Sequence, residues 1–369
     1  MKKAVVTVTN DLVTDQRVMR TNEVLLSMGI RPTFVGRQWS DSMPFSKPYP
    51  HKRFKLWFHK GFLFYAAYNL RLFWYLLFNN FDLYISNDLD TLLPNFLIAK
   101  LKGKPIIYDS HEYFTGVPEI QNRPFVKKVW TTLERWIFPK LPVVITVNQS
   151  IAELYRAEYD KEVHVIRNIS DSSLPQKVKG RAQLGLPEDA FIIINQGAGI
   201  NVDRGMEEAI EALELLPSDV VLLIVGNGDA VPALKEMTVQ RNLEKRVIFR
   251  PRQPYLEMLQ FTLNADCGLS LDKPLSPNYK YSLPNKVFDF IKSGIPIIAS
   301  SVVEVKRVVE TYNIGTVCND HQPETLARAI IEIKSIGQKA YSHNLNKAAA
   351  ENNWEKERLI WREILTPFA

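Results

Sequence analysis

Residues Tyr279–Ser300, YKYSLPNKVFDFIKSGIPIIAS, decide how the rest of the sequence is interpreted. They predict a turn, a short helix and a buried strand. Pro284 suits the first helical position, where the missing N–H would be unpaired in any case, and Ser282 is a candidate N-cap. Apolar residues recur at helical spacing behind them. Gly294 ends the helix, and Ile295–Ala299 follows as the strand.

The beginning of this helix is a candidate anion site. The N–H groups around Leu283, Asn285 and Lys286 have no partner inside the helix, so they are free to point at a ligand. The helix dipole and the Lys286 ammonium add positive charge, which favours phosphate. Asp289 lies one turn later, where a carboxylate can accept hydrogen bonds from sugar or ribose hydroxyls. A capped helix without any ligand is the alternative.

Composition limits the class of protein. The 369 residues have room for two α/β domains, and 46% hydrophobic with 23% charged residues is typical of a globular chain. Residues 1–170 carry 23 basic and 15 acidic side chains, a surplus of +8, whereas the remainder carries −2. The basic first half favours an anionic acceptor or an anionic membrane surface. Two cysteines fit a reducing cytosol, and no histidine pair has metal-ligand spacing.

The first 36 residues predict a strand, a helix and a second strand, which is the beginning of a doubly wound α/β domain. In such sheets the ligands lie beyond the carboxyl ends of the strands. Asn10, Asp11, Asp15 and Arg17 follow the first strand and are therefore candidates for the ligand edge. Capping and turn formation would explain the same residues without a ligand.

An aromatic run between residues 57 and 78 follows a Pro-rich and Ser-rich stretch, 38–55, that is interpreted as a long loop. Lys60 and Arg71 interrupt the run, which disfavours a transmembrane helix. A helix packed in the core is one interpretation. An aromatic, basic helix lying on a membrane is the other, and Trp57, Phe58 and Phe62 are its candidate contacts.

Acidic residues follow the next two predicted strands. Asp88 and Asp90 form an Asp-x-Asp pair that can hold a divalent metal and a diphosphate. Asp90 also fits as the N-cap of a helix over 91–102, which is the interpretation we favour. His111 and Glu112 follow the second of these strands. A histidine there can donate to a bound substrate or shuttle protons, although a packed or capping histidine is the alternative.

The second half begins after a Ser/Pro/Gly-rich linker, 170–187, with a strand and the loop GAGINVDRG. The loop contains Gly199, but Val202 stands at the third glycine position of a dinucleotide fingerprint, so a nicotinamide cofactor is disfavoured. Arg204 lies near the following helix start, where its guanidinium can meet a phosphate. Asn227 lies in a further strand–turn, and Tyr255 is placed in a loop.

The order of these motifs resembles glycosyltransferase family 4. The resemblance rests on DLVTDQRVMRTNEVLLSMG, YDSHE, RNISD, GINVDRG, LLIVGNGD and NADCGLSL…SLPNKVFDFIKSGIPIIAS. It implies the GT-B fold, in which two Rossmann-like doubly wound domains face each other across a cleft. Residues 1–168, with a C-terminal helix 352–369 returning to them, would form the acceptor-side domain. Residues 169–351 would bind the nucleotide sugar.

The resemblance also implies a metal-independent, retaining transfer from a nucleotide-sugar donor to an acceptor hydroxyl. Arg204 takes the basic position that contacts the diphosphate, and Asp289 takes the position of a ribose-binding glutamate. Tyr281 stands where the family has its first glutamate, so the contact with the donor sugar departs from the family pattern. His111 matches a histidine near the transferred sugar. The loop Asn10–Asp15 replaces the N-terminal Gly-rich loop and contains no glycine.

These arguments predict three groups of site residues. The expected catalytic residues are His111, Arg204 and Lys286. The expected donor contacts are Gly199, Arg204, Asn227, Tyr255, Tyr281, Ser282, Leu283, Pro284, Asn285, Lys286 and Asp289. The expected acceptor-side residues are Asn10, Asp15, Arg17 and Glu112.

The expected partners are a nucleotide-sugar donor and a saccharide or lipid-linked acceptor, in polysaccharide or glycolipid assembly. We expect no cofactor and no metal, a cytoplasmic protein at the inner face of the membrane, and peripheral contact with anionic lipid. No nucleic-acid module is recognisable. The alternatives are a nucleotide-sugar epimerase or hydrolase on the same fold, and a non-catalytic nucleotide-sugar-binding module.

Overall fold

The structure, a computed structural model, describes residues 1–13, 15–171 and 173–369. Thr14 of the loop Asn10–Asp15 and Ser172 of the expected linker lie outside the described residues. The chain divides into two units. The first contains Met1–Asn168, Ser276–Asn278 and Glu355–Ala369, and the second contains Ile169–Leu275 and Tyr279–Trp354.

Each unit is built on one parallel sheet. The strands of the first sheet pair in the order β3-β2-β1-β4-β5-β6-β7. They are β1 (Lys3–Asp11), β2 (Arg31–Gln38), β3 (His51–Lys55), β4 (Leu83–Asn87), β5 (Ile106–Ser110), β6 (Val143–Thr146) and β7 (His164–Val165).

The second sheet has the order β10-β9-β8-β11-β12-β13. Its strands are β8 (Phe191–Gly197), β9 (Val220–Gly226), β10 (Val247–Arg250), β11 (Cys267–Ser270), β12 (Ile297–Ser300) and β13 (Gly315–Cys318). In both sheets the strand order reverses beside the first strand, which is typical of Rossmann-like domains. The predicted fold class, two Rossmann-like α/β domains, is therefore confirmed.

Helices connect the strands of both sheets. They are α1 (Gln16–Ser27), α2 (Gly61–Phe78), α3 (Leu89–Leu101), α4 (Pro118–Gln121), α5 (Pro124–Ile137), α6 (Gln149–Tyr159), α7 (Met206–Leu213), α8 (Val231–Gln240), α9 (Tyr255–Thr262), α10 (Pro277–Lys280), α11 (Asn285–Ser293), α12 (Val303–Tyr312), α13 (Pro323–Ile336), α14 (Ser342–Glu351) and α15 (Trp354–Leu365). Because helices cover the strands, apolar side chains such as those of Ile85, Ile107 and Ile193 are fully buried. Within the described residues, no helix combines the length and the apolarity that crossing a bilayer requires.

The decisive stretch folds as a turn, a helix and a strand, but its helix begins later than predicted. Pro284 is the extended residue before α11, with φ −71° and ψ 144°, rather than the first helical residue. The Ser282 hydroxyl donates to the carbonyl of Tyr279 at 3.0 Å, so its prediction as the N-cap is wrong. Gly294 ends α11 in the left-handed region, with φ 72°, as the sequence predicts.

Three further local predictions need correction. Residues 38–55 are not all loop, because His51–Lys55 forms the edge strand β3, in which only Phe54 is buried. Tyr255 is not in a loop but begins α9. Asp90 does not cap α3: it lies in the first turn of that helix, and its carboxylate accepts a hydrogen bond from Thr9 Oγ1 at 2.6 Å.

Candidate functional site

Two cations of the second unit meet at one buried carboxylate. Arg204, in the segment between β8 and α7, donates from Nη1 to Asp272 Oδ2 at 2.6 Å. Lys286 Nζ, in the first turn of α11, lies 3.9 Å from Asp272 Oδ1. Asp272 follows β11 and is buried. Sequence reasoning found both cations but missed Asp272, for which the one available signal is its position just after a predicted strand.

The backbone brings the Arg204 segment against the segment after β11. Gly205 has φ 75°, and a Cβ on it would lie 2.6 Å from the carbonyl oxygen of Leu271. Only glycine permits this approach. Lys273 N also donates to the carbonyl of Asp203 at 3.0 Å. The Tyr279 ring lies 4.3 Å from Arg204 Cζ, so the guanidinium is fixed by an aromatic face as well as by a carboxylate.

The cluster keeps unused hydrogen-bonding capacity. Lys286 Nζ donates to Asn195 Oδ1 at 2.9 Å, and burial lowers the pKa of its ammonium while Asp272 opposes that change. Arg204 Nε and Asp272 Oδ1 are buried, and neither has a hydrogen-bond partner among the described residues. Buried polar atoms without partners are rare in folded proteins and are often found at functional sites. Of these two atoms, Arg204 Nε is a donor that can meet an anion, whereas Asp272 Oδ1 can only accept, so it is the cations of the cluster that are suited to an anion.

Asp289 forms a second polar group in the same unit. Its Oδ1 accepts a hydrogen bond from Tyr255 Oη at 2.6 Å, and its Oδ2 accepts one from Gln196 Nε2 at 3.2 Å. Lys292 Nζ lies 2.7 Å from Tyr255 Oη. Burial raises the pKa of the Asp289 carboxyl, although the bond from Tyr255 opposes the rise. Protein donors occupy both oxygens, and the expected ribose contact of Asp289 stays a prediction.

The remaining expected donor residues surround the carboxyl ends of these strands. Gly199 and Asn227 are exposed in the loops after β8 and β9. The two loops are joined by a hydrogen bond from the N–H of Ile200, which follows Gly199, to the carbonyl of Asn227 at 3.1 Å. Tyr281 is half-buried, with the Lys280 ammonium 5.3 Å from its ring centroid. Leu283, Pro284 and Asn285 are partly exposed at the beginning of α11.

In the first unit, the ring of His111 lies between carboxylates. Its Nδ1 is 3.5 Å from Asp88 Oδ2, and its Nε2 is 3.4 Å from Asp109 Oδ2 and 3.0 Å from Asn87 Oδ1. The Asn87 amide nitrogen donates to the carbonyl of Thr7 at 3.0 Å, which turns its oxygen toward the ring. Burial alone would lower the pKa of His111, but Asp88 and Asp109 raise it to about 9. The imidazole is therefore cationic at neutral pH.

Arg17 is held in the same cluster by Asp109. Its Nε and Nη2 donate to the two carboxylate oxygens at 3.1 and 2.7 Å, and its Nη1 donates to the carbonyl of Ile166 at 2.9 Å. Burial favours the neutral carboxyl, but Arg17 and His111 bring the pKa of Asp109 down to about 2. Both side chains are buried, so this pair joins α1 to the end of β5.

The other expected acceptor-side residues also have protein partners. Asp15 caps α1 by accepting from Val18 N at 3.2 Å, and Asn10 Nδ2 donates to the other Asp15 oxygen at 3.2 Å. Glu112 accepts from Asn278 Nδ2 at 2.9 Å, and burial, with Asp88, raises the pKa of this glutamate to about 7. Sequence reasoning missed Asn278.

Asp90 completes the acidic group at the carboxyl end of β4. Burial, with Asp88, raises the pKa of the Asp90 carboxyl to about 8. Despite these acidic side chains, the described residues contain no group of three or more His, Cys, Asp or Glu side chains that is arranged to hold a metal ion.

Two Rossmann-like sheets in one chain, with polar clusters at the carboxyl ends of their strands, are the architecture of the GT-B fold. The family model described as Glycosyltransferase Family 4 matches residues 16–173. The model described as Glycosyl transferases group 1 matches residues 176–352. Together the two models span most of the chain, which therefore belongs to the GT-B glycosyltransferases of the family 4 type. It is an enzyme of the glycosyltransferase class.

Solved structures with this fold match the chain over its full length. Sucrose-phosphate synthase from Thermosynechococcus elongatus has a TM-score of 0.78 at 17% identity and covers 100% of both chains. WaaG, a glycosyltransferase involved in lipopolysaccharide biosynthesis, has a TM-score of 0.76 at 15% identity and covers 99% of both. Anabaena HepE, in complex with UDP-glucose, has a TM-score of 0.74 at 16% identity and covers 100% of both.

A curated relative matches part of the chain. It is D-inositol 3-phosphate glycosyltransferase of Xylanimonas cellulosilytica, 24% identical over 188 residues, which are 47% of this chain and 43% of the relative. The chain thus matches less than half the length of this relative.

Proposed function

We propose that the protein transfers a sugar from a nucleotide-sugar donor to a saccharide or lipid-linked acceptor, with retention of the anomeric configuration and without a metal. The observation that carries the proposal is the convergence of Arg204 and Lys286 on Asp272 beside the beginning of α11. Two cations and a helix N-terminus at the carboxyl ends of parallel strands are suited to a diphosphate.

The proposed chemistry begins at the anomeric carbon. When its bond to the phosphate oxygen breaks, negative charge grows on the diphosphate that leaves. Arg204, Lys286 and the N–H groups at the start of α11 stabilise this charge more in the transition state than in the bound donor, and this difference accelerates the reaction. Because two side-chain cations lie at this point, no metal is needed to neutralise the leaving group. The acceptor oxygen forms its bond to the anomeric carbon on the face that the diphosphate leaves, which retains the configuration, and the proton of that hydroxyl passes to the departing phosphate.

The donor and acceptor classes are supported by the solved relatives. Structures of Anabaena HepE contain UDP, UDP with glucose, and UDP-glucose, and WaaG acts in lipopolysaccharide biosynthesis. We propose a donor of the same nucleotide-sugar class for the second unit. His111, cationic and just after β5, stays a proposed catalytic residue on the strength of the family resemblance. Polysaccharide or glycolipid assembly at the cytoplasmic face of a membrane accords with the basic surplus of the first 170 residues.

The test is a thermal-shift panel of nucleotides and nucleotide sugars, followed by NMR of the best donor with and without acceptor. A ligand at 100 times its Kd adds about 2.7 kcal/mol of stability. We expect a product with the anomeric configuration of the donor, formed only with an acceptor and unchanged after chelation of metals. Conversion of the donor alone would indicate an epimerase or hydrolase. Tight binding without turnover would indicate a binding module.

A further inference from the structure

Helix α2 has two apolar faces, and only one of them is covered. Phe64, Tyr68, Leu72 and Leu76 face the core and are buried. On the opposite side, Leu63, Leu70, Trp74 and Phe78 recur at helical spacing and are 53%, 60%, 49% and 77% exposed. Trp57 and Phe62, before and at the start of the helix, are 87% and 76% exposed. From the sequence, this helix could either pack in the core or lie on a membrane. The structure shows that only one of its faces packs in the core.

Helix α5, in the same unit, also carries exposed apolar side chains. Its Phe125, Val129 and Trp136 recur at helical spacing and are exposed, Phe125 by 76%. The two helices are neighbours, because the rings of Tyr65 in α2 and Trp130 in α5 meet edge to face with centroids 5.3 Å apart. Large exposed apolar residues thus recur on the outer sides of two helices of one unit, whereas monomeric proteins rarely leave clustered apolar side chains open to water. We name the outer faces of α2 and α5 the aromatic face.

The charges on the aromatic face have a single sign. Residues 56–81 contain no acidic residue, and residues 123–140 contain one, Glu134, which is fully buried. Lys60, Arg71, Arg123 and Lys128 are exposed on the same segments. The acidic Glu158, from α6, reaches the border of the face, where it pairs with Arg135 at 3.3 Å. The aromatic face therefore combines apolar side chains with exposed positive charge.

We infer that the aromatic face lies on a membrane that contains anionic lipid, with the aromatic side chains in the headgroup region and the basic side chains among the lipid phosphates. The inference rests on the proposed function in one respect: membrane binding would bring the transferase to a lipid-linked acceptor. Helices of this composition bind in the plane of the interface through apolar burial together with attraction to anionic lipid. A second copy of the chain is the other possible occupant, but two faces that carry the same charge repel each other.

Vesicle flotation of the full chain tests the inference. We expect flotation with vesicles containing phosphatidylglycerol and at least about tenfold weaker binding to phosphatidylcholine alone. The double variant Trp74→Ser/Phe78→Ser should lower binding to the anionic vesicles by about tenfold or more, because burial of two large aromatic side chains is lost. Arg123→Glu/Lys128→Glu should lower it at least as much while leaving the apolar side chains in place.

Matched controls come from exposed positions elsewhere. Leu359→Ser in α15 and Leu215→Ser after α7 remove exposed leucines, and Lys347→Glu in α14 reverses an exposed charge. These controls should float like the wild-type protein. Unchanged flotation of both double variants would overturn the inference, and so would a wild-type protein that fails to float. A dimer in light scattering that becomes monomeric in Trp74→Ser/Phe78→Ser would assign the face to a second copy instead.

The thermal-shift panel of nucleotides, which includes UDP because Anabaena HepE binds it, separates this inference from the proposed function. Neither double variant alters the Arg204–Asp272–Lys286 cluster, so both should keep the wild-type response to UDP. Flotation that follows the expected pattern in a protein without nucleotide binding would support the membrane surface and refute the donor site. Nucleotide binding without the expected flotation pattern would refute the membrane surface and leave the donor site unaffected.

Discussion

Replacing Asp272 by Asn tests how the two cations of the second unit are held. The substitution removes the carboxylate that accepts from Arg204 Nη1 at 2.6 Å and faces Lys286 Nζ at 3.9 Å. Two partly buried cations then lie together without a counter-charge. Breaking a buried ion pair on one side costs about 3–5 kcal/mol. Because the Arg204 side chain is 22% exposed, we expect the lower end, about 3 kcal/mol.

For a domain of this size, 1 kcal/mol corresponds to about 2–4 °C in Tm, so Asp272→Asn should melt about 6–12 °C below the wild-type protein. UDP serves as the nucleoside diphosphate in this test because the relative Anabaena HepE binds it, and under our proposal it should raise the Tm of the variant more than that of the wild-type protein. In the wild-type protein the diphosphate competes with Asp272 for the cations, whereas in the variant it meets both cations unpaired. The rise in Tm at equal UDP concentration should therefore be larger for the variant.

Differential scanning fluorimetry with and without UDP measures both effects. Asp219→Asn is the control, because Asp219 forms an exposed pair with Lys334 in the same unit and should change neither Tm nor the UDP response. An equal or smaller UDP shift in Asp272→Asn would refute the reasoning, since it would mean that the diphosphate does not bind at the cations that Asp272 holds.

Three further outcomes follow from the same contacts. Lys286→Ala should keep the wild-type circular dichroism spectrum and lower kcat by about 10²–10³, the usual cost of one donor to a developing anion; wild-type turnover would remove Lys286 from the site. Arg17→Met leaves Asp109 buried without its guanidinium and should lower the free energy of unfolding by about 3–5 kcal/mol in urea titrations, whereas Arg31→Met at the exposed start of β2 should have little effect. Because the pKa of Asp109 is lowered from 3.8 to about 2, its contribution to stability is present above about pH 4 and is lost as the pH falls through about 2. Asp109→Asn should remove this part of the acid transition. An unchanged acid unfolding profile in this variant would argue against the pair with Arg17.

The fold was predictable because its signals are local. Apolar runs of strand length alternate with helical patterns, and the strands of a parallel sheet are apolar because helices cover both of its faces. The errors lie where a local signal is ambiguous. Residues 51–55 form an edge strand with one buried side chain, so they lack the apolar run that marks a strand. Ser282 and Asp90 have cap-forming side chains, but each finds a different partner in the folded chain.

The candidate site was predictable only in part. Arg204, Lys286 and His111 stand out because their chemistry and their position after strands are visible in the sequence. Their partners are not, since Asp272 is 68 residues from Arg204 and Asp109 is 92 residues from Arg17. Such contacts depend on which strand ends the topology brings together, and the strand order was not predicted in detail. The exposed face of α2 could not be predicted for the same reason. The sequence shows that the helix is apolar, but not how many of its sides other elements cover.

The two arginine–aspartate pairs show why partners matter more than residue type. Arg17 and Arg204 each lie in the segment after the first strand of their sheet, and each meets a buried aspartate at another strand end. Arg17 uses three nitrogens on protein acceptors and occupies both oxygens of Asp109, so little capacity is left for a ligand. Arg204 makes one bond to Asp272 and retains a buried Nε without a partner, beside a second cation. The same residue type at the same topological position therefore secures the fold in the first unit, and in the second it provides the charge that our proposal assigns to the leaving diphosphate.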